Sequence, residues 1–303
     1  MKSVVQQEHP QRGEGNPNSI KVLVYHRIVD EPTISQAHWS CLTVERFREH
    51  LELLDRLGYT TITFKDYFLF LEGQVNLPAK PIILTFDDGY LDTYRFAFPL
   101  LQEFGMTAVM FVLGDRKIRT NYWDQRIGVP EAALMDKQHI VEMHEAGFEI
   151  GSHSASHARL TTISEGSAWE EISRSRILLE ILLNGTVNTF SYPYGLLSGT
   201  LKRMVHNAGY SIACGVHTGP AVFGKDLFEI RRIAIRNTTG SFGLALRLLT
   251  PYHYYNWLRW KVGRTLTNGK HVDQELQKIL EKKKRRANLT PPVETLEEYD
   301  AEK

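Results

Sequence analysis

Short apolar runs typical of buried strands alternate along residues 20–235 with longer segments whose apolar residues recur at helical spacing. The strand-like runs are 20–28, 59–64, 82–86, 107–113, 148–150, 187–192, 210–216 and 228–235. Helices are predicted between Thr43 and Gly58, through Tyr67 and Leu71, over 99–104, over 136–146, and in two segments that end near Gly185 and at Gly209. Because strands and helices alternate, the pattern predicts an α/β protein whose mostly parallel strands form a closed or nearly closed barrel.

Two adjacent carboxylates, Asp87 and Asp88, follow the apolar run at 82–86, and Gly89 comes next. Carboxyl ends of parallel strands are where α/β proteins place their ligands. Neighbouring residues at a strand end point in different directions, so one carboxylate can bind a cation while the other acts as a base. An ordinary Asp-Asp-Gly turn explains this stretch equally well when it is considered alone.

A second polar cluster, GSHSASHARL, follows the strand predicted at 148–150 and contains His153 and His157. On a helical turn, a spacing of four residues places both imidazoles on one face. Together with Asp88 they make a set of two histidines and one carboxylate, which leaves coordination positions open for water and substrate, as a catalytic metal site requires. The pattern therefore predicts a metal site at the mouth of the barrel.

Composition narrows the class of protein. The chain has 303 residues, 42% of them hydrophobic, and its net charge of +1 gives no reason to expect nucleic acid as a partner. The two cysteines, Cys41 and Cys214, are expected to be reduced core residues. Residues 1–19 are predicted to be a disordered leader without a signal peptide, and no run is apolar enough to cross a bilayer. We therefore expect a cytoplasmic protein that is membrane-associated at most.

The composition changes after residue 250, which separates a predicted barrel domain at 20–250 from a C-terminal extension at 251–303. Aromatic and basic residues alternate over 251–266, a charged helix is predicted next, and the tail is acidic. Residues 251–266 suggest peripheral contact with a membrane surface. The alternative, which we favour, is that these aromatics pack a helix onto the domain. The oligomeric state is not indicated by the sequence.

TFDDG followed by His-Ser-x-x-His resembles the polysaccharide deacetylase family, the carbohydrate esterase family 4 proteins with a NodB homology domain, over residues 20–235. The resemblance implies a distorted (β/α) barrel and metal-dependent removal of N-acetyl groups from saccharides. It implies that Asp87 is the general base and that Asp88, His153 and His157 bind a divalent metal. Zinc is expected, with cobalt and nickel as alternatives.

Two departures from the family pattern bear on the remaining site residues. The third motif is Phe190–Gly195, whose Pro-Tyr-Gly part implies that the backbone N–H of Tyr194 faces the oxyanion, but no arginine precedes it. Arg232 in the last predicted strand is a candidate replacement, with a surface salt bridge as the alternative. The late segment that normally supplies the general acid is also missing. VLVYHRI resembles the first strand of the circularly permuted poly-β-1,6-N-acetylglucosamine deacetylases and nominates His26 as the acid.

Substrate contacts are expected from the irregular insertion at 114–136, where Trp123 and Asp124 are candidates, and from Arg232. The resulting hypothesis is a metal-dependent hydrolase that removes N-acetyl groups from an N-acetylated saccharide. One alternative is a C–N hydrolase of a small non-sugar amide, for which a closed pocket built by the insertion would be evidence. The other is a degenerate carbohydrate-binding protein, for which the missing arginine is the best argument.

Overall fold

The computed structural model describes residues 16–251, apart from 128, 216–222 and 224–225, together with residue 258. The chain divides into two compact units, 1–254 and 255–303, and the description that follows concerns the first. Of the predicted leader, residues 16–19 are described, and Pro17–Ser19 forms one 3-10 turn. The predicted C-terminal extension, including the proposed membrane contact at 251–266, lies almost entirely outside the described residues and stays a prediction.

Eight parallel strands form a nearly closed barrel surrounded by helices, which confirms the predicted fold class. The strand bounds are β1 Lys21–Tyr25, β2 Arg27–Val29, β3 Cys41–Thr43, β4 Thr60–Thr61, β5 Pro81–Phe86, β6 Val109–Val112, β7 Glu149–Ser152, β8 Thr189–Ser191, β9 Ile212–Gly215, β10 Ile230–Arg231 and β11 Ile233–Ala234. The order around the barrel is β10-β9-β8-β7-β6-β5-β1-β11. The short strand β4 adds to β5, and β2 pairs with β3 in a separate sheet.

The two edges of the barrel are joined by one continuous segment. β10 pairs with β9 and β11 pairs with β1, and Arg232 is the single residue between β10 and β11. Residues 230–234 therefore connect the last strand of the barrel to the first. A break in pairing at Arg232 leaves its side chain at the seam of the barrel.

The helices connect the strands, as the alternating pattern predicts. Their bounds are α1 Pro32–Ala37, α2 Val44–Arg56, α3 Phe64–Leu71, α4 Phe98–Glu103, α5 Lys137–Glu145, α6 Glu165–Leu183, α7 Gly199–Asn207 and α8 Ser241–Leu249. Thr43 caps α2 by accepting a hydrogen bond from the N–H of Arg46, as predicted, and Asp136 caps α5 in the same way. None of the helices in the described part of the chain is long and apolar enough to cross a bilayer.

Alternate residues of the strands pack into two separate cores. Ile82, Leu84 and Phe86 of β5 belong to the core between the barrel and the helices. Ile83 belongs to a second core, whose members come from five strands and therefore meet inside the barrel. Continuing that alternation, Asp87 lies on the interior side at the carboxyl end of β5. The site is thus held by a strand that is buried along its whole length.

Two strands differ from the sequence predictions for local reasons, and three short elements were not predicted. The first strand is broken at His26, since the carbonyl of His26 accepts a hydrogen bond from Thr93 Oγ1 at 3.0 Å and residues 27–29 pair with β3 instead. The strand predicted at 59–64 ends after Thr61 because Thr63 begins α3 in a capping box. The short elements α1, β3 and α8 were not predicted. Cys41 and Cys214 are buried free thiols.

Candidate metal and catalytic site

Asp88 and Gly89 turn the chain sharply at the carboxyl end of β5. Both residues have a φ of 74°, in the left-handed region. A side chain at Gly89 would come within 3.1 Å of Val112 Cγ1, so glycine is required there both by conformation and by space. Asp88 carries a Cβ, so the same left-handed conformation is strained there. This backbone directs the Asp88 carboxylate toward the two histidines that follow β7.

Asp88, His153 and His157 converge as the sequence predicts. Asp88 Oδ1 lies 3.2 Å from Nε2 of His153 and 3.2 Å from Nε2 of His157, and all three side chains are buried. The potential ligand atoms lie within 4.8 Å of one another. Ligands around a tetrahedral zinc ion, each about 2.0–2.1 Å from it, are about 3.3 Å apart. The three residues therefore fit a divalent cation and leave at least one coordination position open.

The geometry that joins the two histidines is not the helical turn that the spacing suggested. Residues 154–156 form a turn after β7, with Ser154 at φ 62° and His157 at φ 63°. Ser154 Oγ accepts a hydrogen bond from the N–H of His157 at 3.0 Å, and the Glu171 carboxylate of α6 accepts hydrogen bonds from both the N–H and the hydroxyl of Ser156. The helical interpretation was wrong, because this turn and its anchor on α6 bring the imidazoles together.

Asp87 is held by Arg232 inside the barrel. Arg232 Nη1 donates to Asp87 Oδ1 and Nη2 donates to Asp87 Oδ2, each at 2.7 Å. The guanidinium also donates to Thr85 Oγ1 at 3.0 Å and to Ser191 Oγ at 2.8 Å. The side chain of Arg232 has no exposed surface. Arg232 therefore pairs with Asp87, as suggested for a replacement of the arginine missing from the third motif, and the pair is buried and is not a surface salt bridge. Contact of Arg232 with substrate stays a prediction.

Electrostatics in this site favour ionised carboxylates. Burial alone would raise the pKa of Asp87, but the Arg232 guanidinium and His153 outweigh it, and the net shift of the pKa is downward. Burial is likewise outweighed at Asp88, where hydrogen bonds to His153 and His157 hold the pKa well below its usual value. Burial lowers the pKa of His157, and Asp88 offsets this effect only in part. An ionised Asp88 beside a neutral imidazole suits a cation site.

A family model described as polysaccharide deacetylase matches residues 74–213, the part of the chain that carries Asp87, Asp88, His153 and His157. Residues 74–213 belong to the polysaccharide deacetylase family. YxkH of Bacillus subtilis, described as a candidate polysaccharide deacetylase, is 24% identical over 72% of each chain. The poly-β-1,6-N-acetyl-D-glucosamine N-deacetylase of Staphylococcus epidermidis is 21% identical over 73% of this chain and 80% of that protein. The structure of the Streptococcus pyogenes deacetylase PplD matches with a TM-score of 0.63 and 23% identity, over 76% of this chain and 97% of that one.

His26 lies where the chain leaves the barrel after β1. The carbonyl of Tyr25, the residue before it, accepts a hydrogen bond from the N–H of Asp87 at 3.1 Å, which places His26 beside the carboxyl end of β5. Trp39 contacts the His26 ring edge to face at a centroid distance of 5.4 Å. The structure thus brings His26 to the same mouth as the predicted metal ligands.

Tyr194 contacts His157, one of the predicted metal ligands. Its backbone is left-handed, with φ 60° and ψ 7°, inside a single 3-10 turn at Pro193–Gly195. The Tyr194 ring meets His157 at a centroid distance of 4.7 Å, and the Arg159 guanidinium lies 4.1 Å from the centre of the Tyr194 ring. The Pro-Tyr-Gly turn that the sequence singled out is therefore part of the site.

The insertion at 114–136 contacts the site directly. Trp123 stacks on the imidazole of His157 at a centroid distance of 4.3 Å. Tyr90 donates a hydrogen bond from its hydroxyl to Asp124 Oδ2 at 3.1 Å. Burial and the charge of Asp88 raise the pKa of Asp124 to about 6. Trp123 and Asp124, two of the three residues predicted to contact substrate, are thus engaged with the imidazole of a predicted metal ligand and with the residue after Gly89.

Sequence reasoning missed several residues that support the site. Ser191 is the most important of them, because its carbonyl accepts a hydrogen bond from His153 Nδ1 at 2.8 Å and its hydroxyl contacts Asp87. Ser191 is the last residue of β8, so the strand-end rule that singled out Asp87 applies to it as well. Glu171 gave no such signal, since it lies within a long helix that also contains Glu165, Glu170 and Glu180.

Proposed function

We propose that this protein is a metal-dependent hydrolase that removes N-acetyl groups from an N-acetylated saccharide. The observation that carries the proposal is the buried Asp88, His153 and His157 group next to the Asp87–Arg232 pair at one mouth of the barrel. Relatives named as N-deacetylases of a β-1,6-linked N-acetylglucosamine polymer support the substrate class. The main argument for a degenerate binding protein was the missing arginine. The hydrogen bonds between Arg232 and Asp87 remove that argument.

Asp88, His153 and His157 would hold the cation. Nitrogen and oxygen donors in this ratio suit zinc, and cobalt or nickel would also fit. A bound divalent ion would polarise the acetamide carbonyl and make water a stronger nucleophile near neutral pH. The hydrogen bond from His153 Nδ1 to the Ser191 carbonyl fixes the tautomer of His153 so that Nε2 carries the free lone pair.

Asp87 would be the general base. Arg232 keeps its carboxylate ionised at neutral pH and orients both oxygens, so that a lone pair is available to accept a proton from the attacking water. The same guanidinium donates to Ser191 Oγ, and the Ser191 hydroxyl donates to Asp87 Oδ2 at 3.3 Å, so that both residues hold the carboxylate in place. The pairing costs no extra desolvation during the reaction because both groups are already buried.

His26 would protonate the leaving amine, and the N–H of Tyr194 would donate to the oxygen of the tetrahedral intermediate. A backbone N–H that donates to the oxyanion, as proposed for Tyr194, contributes about 3 kcal/mol to stabilisation of the transition state. An amine cannot leave as an anion at neutral pH, so a general acid is needed on the side of the substrate opposite the base. His26 directly follows β1, the strand that pairs with β5, and so lies at the same end of the barrel as both carboxylates.

The test of the proposal is acetate release from zinc-loaded protein, screened over chitooligosaccharides, β-1,6-linked N-acetylglucosamine oligomers and lipid-linked or nucleotide-linked N-acetyl sugars. We expect release from at least one of them, and a loss of about 100-fold or more in the Asp87→Asn variant. Release from simple acetamides but from no saccharide would favour the small-amide hydrolase. Saccharide binding without acetate release from any substrate would contradict the proposal.

The role of His26 can be separated from that of the base with two substrates. The leaving group of an activated aryl acetate needs no proton, whereas the amine that leaves an acetamide must be protonated. If His26 is the acid, His26→Ala loses activity on the acetamide and keeps most of its activity on the aryl ester. Equal losses on both substrates would assign His26 a structural role.

A further inference from the structure

The two predicted histidine ligands are oriented by different means. His153 donates from Nδ1 to the Ser191 carbonyl, the kind of hydrogen bond that normally fixes a metal-binding imidazole. Nδ1 of His157 is equally buried, but it has no hydrogen-bond partner among the described residues. Nothing polar therefore sets the orientation of the His157 ring on the side away from Asp88.

Aromatic rings surround His157 instead. The indole of Trp123 is stacked on the imidazole, with centroids 4.3 Å apart and planes inclined by 20°. The Tyr194 ring meets the imidazole at 4.7 Å with an angle of 65° between the planes. A stacked ring restricts tilting of the imidazole plane, and a ring at its edge restricts rotation within that plane. The two contacts together leave the imidazole one orientation.

Trp123 is itself anchored on both sides. Its ring packs against an apolar cluster formed by Tyr90, Leu113, Ala132 and Leu134. Its neighbour Tyr122 donates a hydrogen bond to the carbonyl of Ser156, the residue before His157, at 2.8 Å. The insertion thus contacts the turn at two consecutive residues, at the backbone carbonyl of Ser156 and at the imidazole of His157.

We propose that Trp123 is a positioning residue of the metal centre and takes the place of the hydrogen-bond acceptor that His157 lacks. The proposal rests on the proposed function in one respect, that His157 binds the cation. The lone pair of Nε2 lies in the plane of the imidazole, so a ring held in plane by Trp123 is held ready for coordination. The insertion at 114–136 then belongs to the metal site, whereas the sequence suggested that it lines a substrate cleft.

These two roles for Trp123 predict different measurements. A substrate-contacting tryptophan changes KM and leaves the affinity for zinc unaltered. A positioning tryptophan changes the affinity for zinc, and KM measured at saturating zinc stays the same. Zinc affinity can be measured by competition with a chromophoric chelator and requires no enzymatic turnover.

Three variants isolate the stacking contact. Trp123→Phe keeps an aromatic ring, and Trp123→Leu keeps apolar volume against the Tyr90 and Leu134 side chains but cannot stack. Trp169→Leu removes a tryptophan that is 41% exposed on α6 and serves as the control. We expect Trp123→Leu to weaken zinc binding about tenfold or more, Trp123→Phe to weaken it less than about threefold, and Trp169→Leu to leave it unchanged.

Equal zinc affinity of Trp123→Leu and wild-type protein would overturn the positioning role and leave the proposed function intact. Equal losses in Trp123→Phe and Trp123→Leu would also overturn it, because ring stacking would then not be the cause. If Trp123→Leu does not fold, which circular dichroism would reveal, the comparison of Trp123→Phe with Trp123→Met decides in the same way. Failure of wild-type protein to bind zinc would contradict both the inference and the proposed function, whereas zinc binding without acetate release would contradict the function alone.

Discussion

Arg232 and Asp87 are 145 positions apart in the sequence and form two hydrogen bonds of 2.7 Å inside the barrel. Both side chains are almost entirely buried, at 0% and 4% exposure. A buried carboxylate is tolerated only when it is paired and hydrogen-bonded, so each partner depends on the other. The pair links the strand that closes the barrel to the strand that carries the predicted base.

Removal of Arg232 should impair both stability and activity. In Arg232→Gln the Asp87 carboxylate remains buried without a counter-ion, which should lower the free energy of unfolding by about 3–5 kcal/mol. Acetate release should fall on the order of 100-fold, because the pKa of Asp87 rises and its orientation is lost. Arg232→Lys keeps the charge but not the two parallel hydrogen bonds, so its stability and its activity should lie between those of wild-type protein and Arg232→Gln. Urea unfolding and acetate release measure these effects.

Arg48 provides a matched control, since it forms a two-bond pair with Glu103 on the surface, where the side chains are 42% and 54% exposed. Arg48→Gln should change the free energy of unfolding by less than about 1 kcal/mol and leave acetate release unchanged. Similar losses in Arg48→Gln and Arg232→Gln would show that burial of the Asp87 pair has no special importance.

Replacement of either histidine ligand should abolish tight zinc binding. His153→Ala and His157→Ala each remove one of three protein ligands, and elemental analysis after dialysis should show little zinc in either variant. His144→Ala, which alters an exposed histidine of α5, should retain the wild-type amount. Acetate release lost on chelation should return when zinc is added to wild-type protein. Zinc retained in both site variants would exclude the assignment of the ligands.

Gly89→Ala and Gly58→Ala separate backbone strain from crowding. Both glycines have positive φ values, 74° and 70°, but a Cβ at Gly58 meets nothing within 4 Å, whereas a Cβ at Gly89 would meet Val112 at 3.1 Å. Gly58→Ala should cost about 1–2 kcal/mol of unfolding free energy through strain alone. Gly89→Ala should cost more and should also weaken zinc binding, because Asp88 is displaced. Equal effects of the two substitutions on stability and zinc affinity would contradict this reasoning.

His50 should make stability depend on pH. It is fully buried in the core, where Nε2 donates to the Thr239 carbonyl at 2.8 Å and the Tyr25 hydroxyl lies 3.3 Å from Nδ1. Burial lowers the pKa of His50 to about 4. Since the unfolded chain binds a proton near pH 6.5 and the folded protein does not, the stability due to His50 is present above pH 6.5 and is lost as the pH falls toward 4.

The predicted size of this effect is about 2 kcal/mol between pH 7.5 and pH 5. Urea unfolding at both values should therefore show a steeper loss for wild-type protein than for His50→Gln, which cannot titrate. The comparison removes contributions from other histidines, because both proteins contain them. Parallel losses in the two proteins would rule out His50 as the source.

The elements that sequence patterns predicted were those fixed by local residues. The end of β5, the cap of α2 and the polar residues at the ends of β5 and β7 depend on a few neighbouring positions. The convergence of Asp88 with the two histidines followed from the rule that parallel strands end at one edge of a sheet.

Other features depend on contacts that no local pattern contains. The turn at 154–157 uses left-handed conformations at Ser154 and His157, which a sequence without glycine does not signal. The pairing of Arg232 with Asp87 required the barrel to be closed before its partner could be identified. The stacking of Trp123 on His157 joins an irregular insertion to a turn, and neither has a periodic pattern from which a contact could be predicted.

The position of Arg232 between β10 and β11 ties catalytic competence to the completion of folding. Until residues 230–234 have joined β9 to β1, Asp87 lacks the guanidinium that orients its carboxylate. A nascent or partly unfolded chain should therefore have a solvated, unoriented Asp87 and little hydrolytic activity, even if it has already bound zinc. Activity would appear in a single step, when the last strand docks.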